Sequence, residues 1–133
     1  MLTTELTMRT GSRVVTDLTP HAEEFCAGRG DGLLSVFVPH ATAGVALIET
    51  GAGSDDDLVT ALASLLPADE RWAHRHGSPG HGRDHELPAF VSPSLTVPVL
   101  DGRMQLGTWQ SVVLVDTNAD NPERKVRLSL LMG

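Results

Sequence analysis

Tyrosine is absent from this chain of 133 residues, and all aromatic residues together make up only 4% of it. The interior must therefore be built mainly from Val, Leu, Ala and Ile within a hydrophobic share of 41%, which suits a globular fold containing sheet. Cys26 is the single cysteine, so no intrachain disulfide forms and no thiolate zinc site forms within one chain. A reducing compartment is compatible with that. Basic residues are scarce: ten Lys and Arg against seventeen Asp and Glu leave a formal charge of -7, which opposes the attraction behind non-specific nucleic-acid binding. A nucleic-acid partner is therefore not expected. No run approaches the roughly 18 apolar residues of a membrane helix, and Met1 to Leu6 lacks a basic region followed by an apolar stretch. The expectation is a soluble, cytoplasmic protein with no membrane partner. The Rossmann fingerprint, the Walker loop, the nucleophile elbow and a Cys/His catalytic pair are missing as well, which argues against a covalent nucleophile. The length fits one domain spanning residues 1–133.

What is present reads as strands with few helices. Residues 3–9 and 12–17 alternate polar and apolar side chains around Gly11-Ser12, the pattern of a half-buried hairpin. Thr19-Pro20 opens a short helix, with Thr19 as N-cap, and Gly28 and Gly30 end it. The runs Leu33–Val38 and Val45–Ile48 are nearly all apolar and predict central strands buried on both faces. Ser54 and Asp55 to Asp57 mark a helix start, and Leu58, Val59, Leu62, Leu65 and Leu66 follow at helical spacing up to Pro67. Residues 67–93 are rich in proline, glycine and histidine and hold no sustained apolar period, so a long irregular segment is expected there. Such a loop in a small domain is more often functional or mobile than neutral. Strand signals return at Leu95-Thr96-Val97, Val112–Val115 and Val126–Leu130, with a turn at Asp101-Gly102, giving one α+β domain.

Several residues bear chemistry. His74, His76, His81 and His85 lie among Arg71, Arg75 and Arg83, a mixture equally consistent with a solvated loop and with a ligand site. Pro79, Pro88 and the glycines at 77, 80 and 82 rule against the continuous helix that a helical metal motif needs. His40 ends an apolar strand and meets the small-residue turn Ala41-Thr42-Ala43-Gly44, which suits either a satisfied core imidazole or a ligand-binding one. Glu49 closes the next strand and faces water, a cation or donors, and Asp57 fits a helix-start role. Gly107-Thr108-Trp109-Gln110 supplies a hydroxyl, a flat ring and an amide at the foot of a strand, suited to a pocket wall or to an interface anchor.

Several of these motifs, in this order, resemble the YjbQ (UPF0047) family. The family pattern His-Thr-Thr-Ala-Gly appears as His40-Ala41-Thr42-Ala43-Gly44, followed by Glu49 and Asp57. An aromatic-x-His element falls on Trp72-Ala73-His74, the histidine before a Ser-x-Thr-x-Pro strand on His85, and Leu-Gly-Thr-Trp-Gln is intact at residues 106–110. Ala41, Ile48, Leu87 and Asp116 depart from the usual hydroxyl residue, asparagine, lysine and glutamate. The resemblance implies an α+β sandwich of mixed sheet with two main helices, assembling as a homotrimer. It also implies a thiamine-phosphate-synthase-type transferase that couples hydroxymethylpyrimidine diphosphate with thiazole phosphate and releases pyrophosphate. A competing expectation is a non-catalytic trimer that binds a divalent metal or a phosphorylated metabolite. Under the resemblance His40, His74 and His85 converge on a divalent metal, zinc or another transition metal, or on phosphate, while magnesium serves turnover. Glu49 joins them as a catalytic candidate, Glu49 or Asp57 orients one imidazole, and Thr42, Thr108, Gln110 and Arg124 meet the phosphorylated ligand. His76, His81, Arg75 and Arg83 match nothing in the pattern and are expected to be plain loop residues.

Overall fold

Polar and apolar residues alternate along β8 (Glu123–Met132), so one face is fully buried from Arg124 to Leu130 while the other stays accessible. This long strand lies between β1 (Leu2–Arg9) and β3 (Gly32–Phe37). With β5 (Ser94–Leu100) and β6 (Arg103–Met104) they form a five-stranded sheet in the order β1-β8-β3-β5-β6. A computed structural model describes all of residues 1–133. The second sheet has three strands, β2 (Val15–Asp17), β7 (Ser111–Asp116) and β4 (Ala43–Ile48), in the order β2-β7-β4. Register across the larger sheet places Leu34 opposite both Leu130 and Val97, so the inward residues of neighbouring strands meet in one layer.

β7 is the only strand buried on both faces. Val112 and Leu114 join the main core with Leu34, Val36, Val126, Leu128 and Leu130, whereas Val113 and Val115 turn the other way. There they meet Leu62 and Leu66, at the end of helix α2 (Ser54–Leu65), and Leu87 of the short helix α3 (Leu87–Phe90). Helix α1 (Thr19–Cys26) buries Ala22 and Cys26 in the main core. The layers are therefore sheet, sheet and helix, an α+β sandwich in a single domain, as expected.

Four local expectations are corrected. Residues 3–9 and 12–17 do not form a hairpin: β1 pairs with β8 and β2 with β7, so the turn at Gly11 passes the chain from one sheet to the other. Both sheets are antiparallel throughout, not mixed, because none of the paired strands is joined by a parallel crossover. Of the two apolar runs, β3 is central but exposes Leu33 and Phe37 on its outer face, and β4 is an edge strand; the doubly buried strand is β7. Thr19 does not cap α1, since its hydroxyl bridges to the backbone of Val112; Leu18 takes the cap position and Gly53, not Ser54, precedes α2.

The start of β4 lies against the segment that follows α3. Val45 N–H donates to Ser92 O at 2.8 Å, and a Cβ on Gly44 would come within 2.0 Å of Val91 O. No side chain fits there, so Gly44 is required by close approach. Gly44→Ala is expected to cost at least about 2 kcal/mol of stability, read from urea denaturation with an unchanged m-value.

Candidate metal centre

Residues 67–93 are irregular, as expected, but they close on themselves around three imidazoles. Trp72 Nε1 donates to Pro67 O at 2.8 Å, and the backbone at Trp72 and His74 passes so close to Gly82 that a Cβ there would lie 2.5 Å from both Trp72 Cβ and His74 O. Behind Gly82 the chain forms a single 3-10 turn, His81–His85. Arg83 ties this turn to the end of α2 through Leu66 O at 3.2 Å. Proline and glycine exclude a long helix here, yet five residues of 3-10 helix suffice to bring His81 and His85 together.

One ring nitrogen from each of His74, His81 and His85 lies within 4.8 Å of the other two. His81 is buried, at 7% exposure, and its Nε2 is 3.0 Å from His85 Nε2. Two imidazole nitrogens this close share either a proton or a cation. His81 Nδ1 is 3.0 Å from Asp84 Oδ2 and 3.6 Å from Asp120 Oδ2, which fixes Nδ1 as the protonated nitrogen and leaves the Nε2 lone pair facing the cluster. Asp84 is held in turn by the Thr117 hydroxyl and by Arg83 Nε at 3.2 Å, and Asp120 by the Ser78 N–H and hydroxyl at 3.1 Å each. A carboxylate that orients an imidazole ligand from behind is the usual support of a zinc-binding histidine. His74 Nε2 is buried with no hydrogen-bond partner, an uncompensated cost unless an ion or a ligand meets it. Nitrogens around zinc stand roughly 3.3 Å apart at bond lengths of about 2.0–2.1 Å, a spacing that His81 and His85 already approach and that the rest of the triad reaches by drawing inward.

Placement of the other expected residues divides them. His40 is not part of the cluster: its Nε2 accepts the Lys125 N–H at 2.9 Å. The β3–β8 ladder ends at the Phe37–Arg127 pair, and beyond it the imidazole serves as acceptor for the β8 backbone. Thr42 is buried and accepts from Arg124 Nη2 at 3.0 Å and from Asn118 Nδ2 at 3.3 Å. Arg124 does not face an anion from outside, because Asp116 holds its guanidinium in a buried ion pair. Glu49 is half-buried without a hydrogen bond or ion pair, and Asp57 sits exposed in the first turn of α2, so neither carboxylate orients an imidazole. Thr108 and Gln110 line a separate cavity of about 500 Å³ with Thr19, Glu23 and Arg103; Gln110 accepts the Gly107 N–H, and Trp109 is 72% exposed. The residue types left His81 open as a ligand and the family pattern set it aside, while Asp84, Thr117 and Asp120 were missed. The i, i+4 spacing of His81 and His85, with Asp84 between them, was the signal for His81 and Asp84; nothing local marked Thr117 or Asp120.

Comparison with known proteins follows the same outline. A family model of UPF0047 protein YjbQ-like matches residues 4–133. The chain belongs to the YjbQ-like UPF0047 family. It is 62% identical over 133 residues to the UPF0047 protein Rv2556c of Mycobacterium tuberculosis, covering 100% of both chains. To a UPF0047 protein of Archaeoglobus fulgidus it is 30% identical over 92% of this chain and 96% of that one. Among solved structures, the hypothetical protein APE1520 from Aeropyrum pernix K1 superposes with a TM-score of 0.90 at 33% identity, covering 100% of both chains. A YbjQ-like protein of unknown function from Sulfolobus solfataricus P2 reaches 0.90 at 22% identity over 99% and 97%, a likeness of fold alone. No helix of this YjbQ-like chain is long and apolar enough to cross a membrane.

Electrostatics of the site favour the neutral form of His74 and His85. Desolvation and then the neighbouring rings push both below the ordinary imidazole value, with Asp84 opposing the shift at His85. His40 is depressed first by burial and then by Arg124, with Asp116 and the Lys125 N–H opposing. A base whose folded value is lowered binds fewer protons folded than unfolded, so its stability contribution is present above the ordinary imidazole value and is lost as pH falls through the folded value. Asp120, held low by the Ser78 donors, titrates only at more acidic pH. The thermal midpoint of chelator-treated protein is therefore expected to fall between about pH 7 and about pH 5, and His85→Gln is expected to flatten that decline.

Proposed function

We propose that this chain binds a divalent transition metal, zinc first, through His74, His81 and His85, and presents the remaining coordination position to a small phosphorylated metabolite. The observation that carries this reading is the convergence of three imidazoles: His74 and His85 are depressed, His81 is backed by Asp84, and His74 has a buried nitrogen that lacks any partner. Nitrogen donors in this number suit zinc far better than magnesium, which prefers oxygen ligands. Three protein ligands leave one tetrahedral position for a ligand. When bound, the ion supplies positive charge that polarises and holds a phosphoryl oxygen. The chain's own contribution is to keep His74 and His85 neutral, orient His81 through Asp84, and shield the His74 nitrogen from water.

The cavity beside the cluster favours one of the two expectations raised by the family resemblance. It measures about 230 Å³ and is more polar than apolar, lined by His74, His76 and His81 with the turn Gly77–Gly80. That is below the range of about 300–1,000 Å³ typical for one drug-sized ligand, and the synthase reaction needs room for two phosphorylated heterocycles at once. Metal-assisted binding of a single small phosphorylated ligand is therefore the better supported reading. The homotrimer belongs to the same proposal: Leu33, Phe37, Leu100 and Leu131 are exposed along the outer face of the larger sheet, where a neighbouring subunit would cover them.

Zinc titration of metal-stripped protein is expected to show one ion per chain. His81→Ala should weaken affinity by at least about 100-fold and Asp84→Asn by about 10- to 100-fold, with folding checked by circular dichroism. Incubation with hydroxymethylpyrimidine diphosphate, thiazole phosphate and magnesium is expected to give no thiamine phosphate above background. Product that depends on His85 would replace the binding reading with the transferase one.

A further inference from the structure

A fourth imidazole stands beside the cluster without belonging to it. The His76 ring centre is 3.9 Å from that of His74, 6.0 Å from His81 and 5.9 Å from His85. It lies outside the set whose nitrogens converge, so it does not complete a four-histidine cage. His76 is exposed, makes no hydrogen bond or ion pair within the chain, and lines the same small cavity as His74 and His81. Other polar side chains of that wall are already engaged: Asp69 with Arg71, Glu70 with Arg75, and Ser78 with Asp120. Main-chain N–H groups of residues 74–77 donate to no backbone acceptor, so this stretch also offers unused donors beside His76. A ligand that brings acceptors can meet these donors and the partnerless His76 ring.

We infer that His76 is the side chain that recognises the ligand at the open metal position, donating its ring N–H to a free oxygen of a small tetrahedral oxyanion, inorganic phosphate or the phosphate of a monoester. This rests on the metal reading above. The ion at His74, His81 and His85 engages one oxygen of the anion, and His76 engages another from the cavity side. Arg75 stands on the same wall, its guanidinium held by the Glu70 carboxylate at 3.3 Å and by Glu70 O at 2.9 Å, so His76 is the side-chain donor left for the anion. Only small anions fit the volume of about 230 Å³.

Cobalt(II) serves as the probe, because its visible absorption reports both its coordination and any change at the open position. Full-length protein is loaded with cobalt, then titrated with inorganic phosphate and, separately, with methyl phosphate. Both wild-type titrations are expected to shift the spectrum. His76→Ala is expected to keep the unliganded cobalt spectrum and one-to-one stoichiometry while weakening anion affinity about tenfold or more, as loss of a hydrogen bond to a charged group implies, with His76→Gln intermediate. A preference for methyl phosphate over phosphate identifies the monoester as the source, and the reverse identifies the free anion. Absence of cobalt binding by the wild type removes the metal reading itself. Cobalt binding that neither anion perturbs, anion affinity unchanged in His76→Ala, or cobalt lost in that variant overturns the assignment of His76 alone.

Discussion

A buried ion pair, Arg124 with Asp116, is the interaction on which the site end of this molecule depends. Both side chains are almost fully excluded from water, a placement that is costly for either charge alone and tolerable only with close pairing and further hydrogen bonds. Those bonds come from elements that must all meet at this point. Arg124 opens β8, Asp116 ends β7, and Thr42, which precedes β4, accepts from the guanidinium. Asp116 also accepts the Asn118 N–H at 2.9 Å, and Asn118 accepts the Asp120 N–H at 2.9 Å. The pair thereby fixes the departure angle of the loop that carries Thr117 to Asp84 and Asp120 to His81. Geometry at the imidazoles is inherited from charge burial in the sandwich.

The second constraint is that residues 67–93 contribute only a few side chains to the smaller core. Apolar anchors for this segment are few, chiefly Trp72, Leu87 and Val91 packed near Leu62 and Leu66. Polar ties complete the anchoring: Trp72 to Pro67, Arg83 to Leu66 and Asp84, Ser78 to Asp120. A segment held mainly by polar ties rearranges more readily than one packed on a core, which suits a ligand site. Its depressed histidines show that the arrangement already disfavours added protons, and a metal ion competes for the same lone pairs.

Fold and site were unequally legible in the sequence. Period-two alternation located β1, β5 and β8, and the leucine spacing after Asp55-Asp56-Asp57 located α2, because each pattern reflects one buried face. Pairing was not legible. Gly11 looks like a hairpin turn locally, but the partners of β1 and β2 lie more than a hundred residues and about a hundred residues away, respectively, and nothing local encodes them. Histidine identity was legible, whereas convergence was not. The same glycines and prolines that exclude a helix allow the tight 3-10 turn, and a breaker residue says what the chain cannot do without saying which compact alternative it adopts.

His40 and His81 show why motif membership and chemistry diverge. His40 sits in the motif shared with the family, yet its Nε2 is occupied by the Lys125 N–H, beyond the Phe37–Arg127 pair at which the β3–β8 ladder ends. An imidazole whose lone pair is committed to the backbone has none left for a cation. His81 matched nothing in the motif, yet its Nδ1 is committed to Asp84 and its Nε2 is free to face His85 and His74. Which nitrogen is already occupied, and by what, therefore separates a structural histidine from a ligand. Thr42 and Arg124 follow the same logic: their polar atoms are engaged inside the sandwich, so they hold the wall of the site in place and leave the recognition of a ligand to side chains with unused donors.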